Sequence, residues 1–351
     1  MSKNITRNCV LIGICALMLF ATGTPLSYGA EKVVLKLAHS DSTDVFVSRK
    51  HAQCLIFKEL VESGSQGRIE VQVFGAGQVG GEREIVESCT VNTLQATVAS
   101  GVIGSFFPPY MTTDIPYLFP SSPIAWSVLD GPFGKKLAAG LIQKTGLRNL
   151  AYAEVGFRNF TNSKKTIRTP ADMKGLKFRI QETPLYSIMI KALGGIPTPI
   201  SWAETYAALQ SGVVDGHENP VSSIFFAKIY EVNKFVTLDG HVYGVDWFLI
   251  NEKFYQSLSD ELKYVILDAA KTSSGVGRGV QNLVSSITGM AKLKEAGVQI
   301  YAPTEKEREL FKQATQKPVI DWLKTKVDEK LINEALKAVD EAVKKQKAEA
   351  K

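Results

Sequence analysis

Arg179 lies in Gly175-Leu176-Lys177-Phe178-Arg179-Ile180-Gln181, where apolar and cationic residues alternate. On a strand, that period of two sends Phe178 and Ile180 to one face and Lys177 and Arg179 to the other. The chemistry on offer is the binding of an anion. A cationic strand face is ordinarily solvated, and the heptapeptide alone does not separate the two readings. Arg158, beside Asn159 and Asn162, reads equally as a second anion contact or as a surface cation. Asn219 stands before Pro220, a pattern that predicts a helix N-cap with proline at the first helical position. A helix start open to a cleft would favour an anion there as well. Trp202 and Trp247 read as core residues first and ligand shelves second.

Other motifs are weaker. Gly75-Ala76-Gly77-Gln78-Val79-Gly80 matches G-x-G-x-x-G between a predicted strand and a helix, the setting of a dinucleotide fingerprint and of an exported nucleotide- or NAD-binding enzyme. Against this, the helix opens with Glu82-Arg83-Glu84, which places carboxylates where a pyrophosphate would sit, and no acidic residue ends the next strand. A flexible turn is the simpler reading. The four histidines, His39, His51, His217 and His241, show no H-E-x-x-H spacing and no paired cysteine ligands. There is no G-x-S-x-G elbow, so no catalytic role is assigned and no cofactor or metal is expected.

The 351 residues, 45% hydrophobic and 22% charged, are enough for about two globular domains and carry no heptad run or low-complexity tract. Residues 1–30 differ. Lys3 and Arg7 precede an apolar run from Cys9 to Ala21, followed by small residues up to Ala30, which reads as a secretory signal peptide cleaved near that point. The run is short for a spanning helix, and no other apolar segment of about 18 residues follows. The expected mature protein is therefore soluble and exported. The net charge of +6 is modest, and Lys344, Lys345, Lys347 and Lys351 sit in a polar tail that reads as a solvated helix end, so no nucleic acid is expected. Cys54 and Cys89 remain after cleavage; they can pair or stay as buried thiols, since sequence does not supply a Cα separation.

The elements that must position these residues alternate. Strands are predicted over 33–37, 69–74 and 94–100, and helices over 44–63 and from Glu82 onward. Helix then dominates 124–144, with a break at Gly131-Pro132. A strand over 147–155 leads to Arg158. Thr169-Pro170-Ala171-Asp172 caps a short helix before the Arg179 strand, and Ser201 with Glu204 has capping-box spacing, as does Thr304 with Glu307. Strand segments over 235–238 and 242–250 precede a helical stretch over 259–296, about 57 Å long at 1.5 Å per residue. That length suits a helix bridging two domains, with a kink at Gly275-Val276-Gly277.

Taken together, several long motifs in one order resemble the solute-binding protein of tripartite ATP-independent periplasmic (TRAP) transporters, of the dicarboxylate-binding type. They are Gly77 to Glu84, Gly156 to Ser163, Asp172 to Arg179, Pro197-Thr198-Pro199, Ala208 to Pro220, Tyr230-Glu231-Val232 and Gly240 to Tyr243. The resemblance implies an α/β, two-domain periplasmic binding protein of the class II-like, Venus-flytrap kind. The division would be 31–154 plus 244–284 for one domain and 155–243 plus 285–345 for the other, with the ligand cleft between. It implies a monomer that delivers a small organic acid anion to the small and large membrane permease subunits. In such proteins an arginine at the Arg179 position clasps the acid group, assisted at the positions of Arg158 and Asn219; a guanidinium fork matches a planar carboxylate. Further contact positions fall on Glu82, Ser100, Glu182, Trp202 and His39. The sequence departs from the commonest pattern: His217 stands where glutamine is usual, Trp202 where phenylalanine is frequent, and Glu182 where a neutral residue is common. No lysine is evident after His39 to meet a second carboxylate, although Arg49 is near. A C4-dicarboxylate is the default ligand, with another carboxylate, a sugar acid or a small sulfonate satisfying the same arginines.

Overall fold

The computed structural model describes residues 32–350; the predicted signal peptide lies outside them. The strands are β1 (Val33–Ala38), β2 (Ile69–Phe74), β3 (Ala96–Ala99), β4 (Leu147–Asn162), β5 (Lys177–Ile180), β6 (Ile196–Pro199), β7 (Gly216–Asn219), β8 (Phe235–Asn251) and β9 (Gln299–Tyr301). They form one nine-stranded sheet in the order β2-β1-β3-β8-β4-β7-β5-β6, with β9 on β8. The two ends of the sheet are parallel, β2-β1-β3 and β7-β5-β6. Between them β8 and β4 run antiparallel to each other, β8 antiparallel to β3 and β4 to β7, while the short β9 joins β8 in parallel.

Both central strands are longer than their sequence suggests. The segments predicted over 235–238 and 242–250 are one strand, and the strand predicted over 147–155 continues through Arg158 to Asn162. Register shifts between Asn149 and Ala151, Glu154 and Gly156, and Arg158 and Phe160 absorb the length. Such irregularities bend a strand pair without ending it. At Gly156 φ is +101°, a conformation that favours glycine, and a Cβ there would stand 2.4 Å from Nε2 of Gln281, so that side chain would have to shift.

Three apolar clusters hold the layers. One packs the helix Arg49–Gly64 and part of the helix Asp260–Leu283 on β1, β2 and β3 through Leu35, Phe57, Val98, Phe248 and Ile266. A second, larger one runs from Ile85 through Tyr110 and Trp247 to Phe178 and Phe311. The third gathers Leu209, Ile224, Val236 and Leu293. Cys54 lies in the first and Cys89 in the second; both are free buried thiols, so no disulfide links them. Burial pushes both thiols up. Trp247 is fully buried and meets Tyr152 edge-on at 4.9 Å between ring centroids, which makes it core.

The long helix corrects one expectation. Asp260–Leu283 continues into a π turn at Val284–Thr288 and then into Gly289–Glu295. The irregularity therefore falls after the Gly275-Val276-Gly277 stretch. Gly277 instead lets the helix approach the helix Arg49–Gly64, since a Cβ there would be 3.0 Å from Oε1 of Gln53. Caps differ too. The first helix begins at Arg49 with Ser48 as N-cap, later than predicted, and the box at Thr304 with Glu307 forms. Ser201 and Glu204 bond side chain to side chain at 2.7 Å, but the helix starts at Thr205. The C-terminal helix Glu329–Glu349 packs on Ser122–Leu129 and Pro132–Thr145. No described helix is long and apolar enough to cross a membrane.

Candidate ligand-binding cleft

Parallel strands present their carboxyl ends, and the loops that follow, on one edge of a sheet, where α/β proteins hold ligands. Here Ser40 and Asp41 follow β1, Ser100 follows β3, Gln181 and Glu182 follow β5, Trp202 follows β6 and Asn219 ends β7; all line one cleft. Arg158 on β4 and Arg49 and Lys50 at the start of a helix complete its charged lining. The cleft holds about 480 Å3 of empty space, part of it continuous with solvent.

Arg179 is 3% exposed, so it is not the solvated cation that its strand pattern allows. Its Nε donates to the carbonyl of Ile200 at 2.9 Å, the one hydrogen bond its side chain makes among the described residues. The Trp202 ring covers it, with the guanidinium carbon 5.6 Å from the ring centroid. No carboxylate pairs with it among the described residues. Burial, with the nearby Arg158 cation adding to it and Glu218 opposing, pushes its pKa down to about 10. It remains charged at neutral pH, with both terminal nitrogens free for an acceptor.

Arg158, equally buried, is in the opposite condition. Its Nε and Nη2 donate to the two carboxylate oxygens of Glu218, at 2.5 and 2.7 Å, and Nη2 also donates to the Glu218 carbonyl at 2.7 Å. Glu218 in turn meets Nε2 of His241 at 3.2 Å, and Nδ1 of His241 meets Asp239 at 3.0 Å. Burial opposes every charge in this chain. For Glu218 the Arg158 cation more than offsets it, holding the carboxyl down at about 2. For His241 the carboxylates of Asp239 and Glu218 do the same and raise the ring to about 9. Behind Arg179, His217 is paired in register with it, fully buried, and has neither ring nitrogen bonded. Burial, then the Arg179 cation, pushes it down to about 3, so it is neutral.

The facing wall is a compact set of ions. Arg49 donates to Asp246 at 2.7 Å and to Asp41 at 3.1 Å. Lys50 meets Glu82 at 2.5 Å, Asp246 at 3.4 Å and Asp41 at 3.9 Å. Ser100 donates its backbone N–H to Glu82 at 3.0 Å. Burial works against the Lys50 ammonium, yet Asp246, Glu82 and Asp41 together raise its pKa.

Of the predicted site residues, Arg179, Arg158, Asn219, Trp202, Ser100, Glu82 and Glu182 share this cleft. His39 does not line it. Its ring is buried, bonded to His51 at 3.0 Å, and pushed by burial down to about 3. Asn219 is the last residue of β7 and not an N-cap; the helix Val221–Phe226 has Pro220 there. Pairing with Asn159 of β4 holds it extended and aims it at the cleft. Lys50, Asp41, Gln181 and the Arg158 partner Glu218 were missed. One signal for Lys50 exists: Arg49 and Lys50 occupy the first turn of a helix, where cations are unfavourable, so their charges need partners from elsewhere.

The glycine-rich loop is a turn. The amides of Ala76, Gly77, Gln78 and Gly80 are spent on the carbonyls of Asp41, His39, Gly75 and Gly77, which leaves no cradle for a phosphate. No group of three or more His, Cys, Asp or Glu able to hold a metal ion occurs among the described residues.

Residues 47–325 match the model of the DctP family, bacterial extracellular solute-binding protein, family 7. The chain is 38% identical to a solute-binding protein of Verminephrobacter eiseniae, over 72% of this chain and 75% of that one. It is 31% identical to the 2,3-diketo-L-gulonate-binding periplasmic protein YiaO of Escherichia coli, over 83% and 88%. Among solved structures, the sugar acid binding protein DctPAm of Advenella mimigardefordensis in complex with galactonate superposes with a TM-score of 0.84 at 32% identity, covering 89% of this chain and 99% of that one. An edge of strand ends carrying buried charge agrees with these likenesses, and the chain belongs to the TRAP-type solute-binding family, whose members bind small acid anions for transport and are not enzymes.

Proposed function

We propose that this chain is the periplasmic solute-binding subunit of a TRAP transporter, exported by its N-terminal signal segment, and that it captures a small organic acid by ion pairing to Arg179. The observation that carries this reading is one buried guanidinium with two uncommitted nitrogens and no carboxylate partner among the described residues. An unpaired buried charge is costly, and an entering carboxylate supplies the missing partner through a bidentate bond. Asn219 adds an amide, Trp202 a wall, and Arg158 stays bound to Glu218 and contributes one remaining nitrogen. Relatives named for 2,3-diketo-L-gulonate and galactonate binding favour a sugar acid, while other carboxylates or a small sulfonate satisfy the same fork.

Closure would exclude water and strengthen the pair. The division into 31–154 plus 244–284 and 155–243 plus 285–345 is supported by irregularities at its crossings: the shift between Glu154 and Gly156, the Gly156–Gly244 pair, and the π turn at Val284–Thr288. The closed monomer would then be handed to the membrane permease subunits.

A thermal-shift screen of aldonates, uronates, dicarboxylates, keto acids and sulfonates should give at least one stabilising acid. In calorimetry, Arg179→Ala should lose that acid by at least about 100-fold, the size expected for a charged hydrogen-bonded pair. Near wild-type affinity in the folded variant would place the acid group elsewhere.

A further inference from the structure

Resting on the reading of Arg179 as anchor, we infer that the ligand is a polyhydroxylated acid with a single negative charge, and that the Lys50–Glu82 pair selects against a second carboxylate. The cleft presents four buried cations, and three of them are already neutralised. Arg158 is committed to Glu218. Arg49 and Lys50 face Asp41, Asp246 and Glu82, so two cations on that wall meet three carboxylates. Only Arg179 lacks a counter-charge among the described residues.

A dicarboxylate held at Arg179 would send its far carboxylate toward this second wall. There it would stand among Asp41 and Glu82, and any hydrogen bond it took from Lys50 would bring it beside the Glu82 carboxylate, which is 2.5 Å from the same ammonium. Glu82 is itself fixed by the backbone amide of Ser100, so it cannot withdraw without leaving that donor unpaired. Glu182 adds another carboxylate to the lining. Like charges this close in a poorly hydrated cleft repel strongly.

A hydroxyl suits the same wall. Its O–H donates to a Glu82 or Asp41 oxygen while its oxygen accepts from Lys50, so both members of an existing ion pair bind it without being separated. The Asn219 side chain makes no hydrogen bond among the described residues and offers one more donor and acceptor along the cleft. The walls therefore ask for a carboxylate at one end and hydroxyls along the rest.

The test is calorimetry on the full chain with three sets of one carbon skeleton each: galactonate and gluconate, their diacids galactarate and glucarate, and their neutral alditols. At least one aldonate should bind at least 100-fold tighter than its diacid and its alditol. In Glu82→Gln, folded by circular dichroism, the gap between aldonate and diacid should shrink at least tenfold. A diacid that binds as tightly as its aldonate, a gap unchanged in Glu82→Gln, or no binding by either aldonate overturns the inference and leaves the Arg179 anchor standing if any other acid depends on it. An alditol that matches its aldonate sinks the anchor itself.

Discussion

The two walls of the cleft contain the same kinds of residue and treat them in opposite ways. On the Arg49 and Lys50 wall every cation is matched by at least one carboxylate within 4.0 Å, and the set carries more negative than positive side chains. On the Arg179 wall one guanidinium is matched by Glu218 and the next, equally buried, is matched by no carboxylate among the described residues. Cation content therefore says little about where an anion binds. What matters is which cation has been left without a partner, because only there does an entering anion gain more from pairing than it loses in desolvation. The paired wall is built for stability and selection, and the unpaired one for capture.

The sharpest break of this contrast is Asp246→Ala. It removes the carboxylate shared by Arg49 and Lys50 while leaving Asp41 and Glu82 in place, and urea unfolding should show a loss of about 3 kcal/mol, the size of losing a buried hydrogen bond between charged groups. A loss under about 1 kcal/mol would mean that packing, and not charge, holds that wall.

Next in size is pH. The His241 ring is raised from 6.5 to about 9 because, against burial, Asp239 and Glu218 favour its charged form. A raised folded value means that its stabilising contribution is complete below about pH 6.5 and is lost as pH climbs through about 9. The unfolding free energy from urea titrations between pH 6 and 9.5 should fall, by an amount on the order of 1–3 kcal/mol, and His241→Gln should flatten the slope. A wild-type profile as flat as that of the variant would remove His241 from the network behind Arg158.

The smallest stability effect should come from Arg179→Met. Replacing an unpaired buried cation by an apolar chain of similar length should leave the ligand-free protein unchanged or more stable by roughly 1 kcal/mol, although binding is lost. Destabilisation as large as that of Asp246→Ala would show that Arg179 carries structural charge like its neighbours and would erase the difference between the walls.

Much of the scaffold is legible along the chain. The alternation at Phe178 and Ile180 marks β5, Thr304 with Glu307 marks a helix start, and the ordered motifs around Arg158, Arg179 and Asn219 point to one family. These signals are local, with periods of two or three residues that fix backbone conformation directly. The failures share a cause. Asn219 reads as a cap because Pro220 follows it, yet β4 claims it as a strand residue. The glycines at Gly275 and Gly277 read as a kink, yet the helix runs straight through them and Gly277 faces Gln53 of another helix. In each case a partner distant in sequence outweighed the local preference.

The sequence by itself determined that this chain offers arginines on strand ends in an alternating α/β frame, and that no catalytic motif accompanies them. Tertiary structure alone decided which of those charges are spent. Arg49 finds Asp246 across 197 positions and Arg158 finds Glu218 across 60, while Arg179 finds none among the described residues. The reason is that burial and Coulomb energy depend on separation in space, and the fold alone sets those separations.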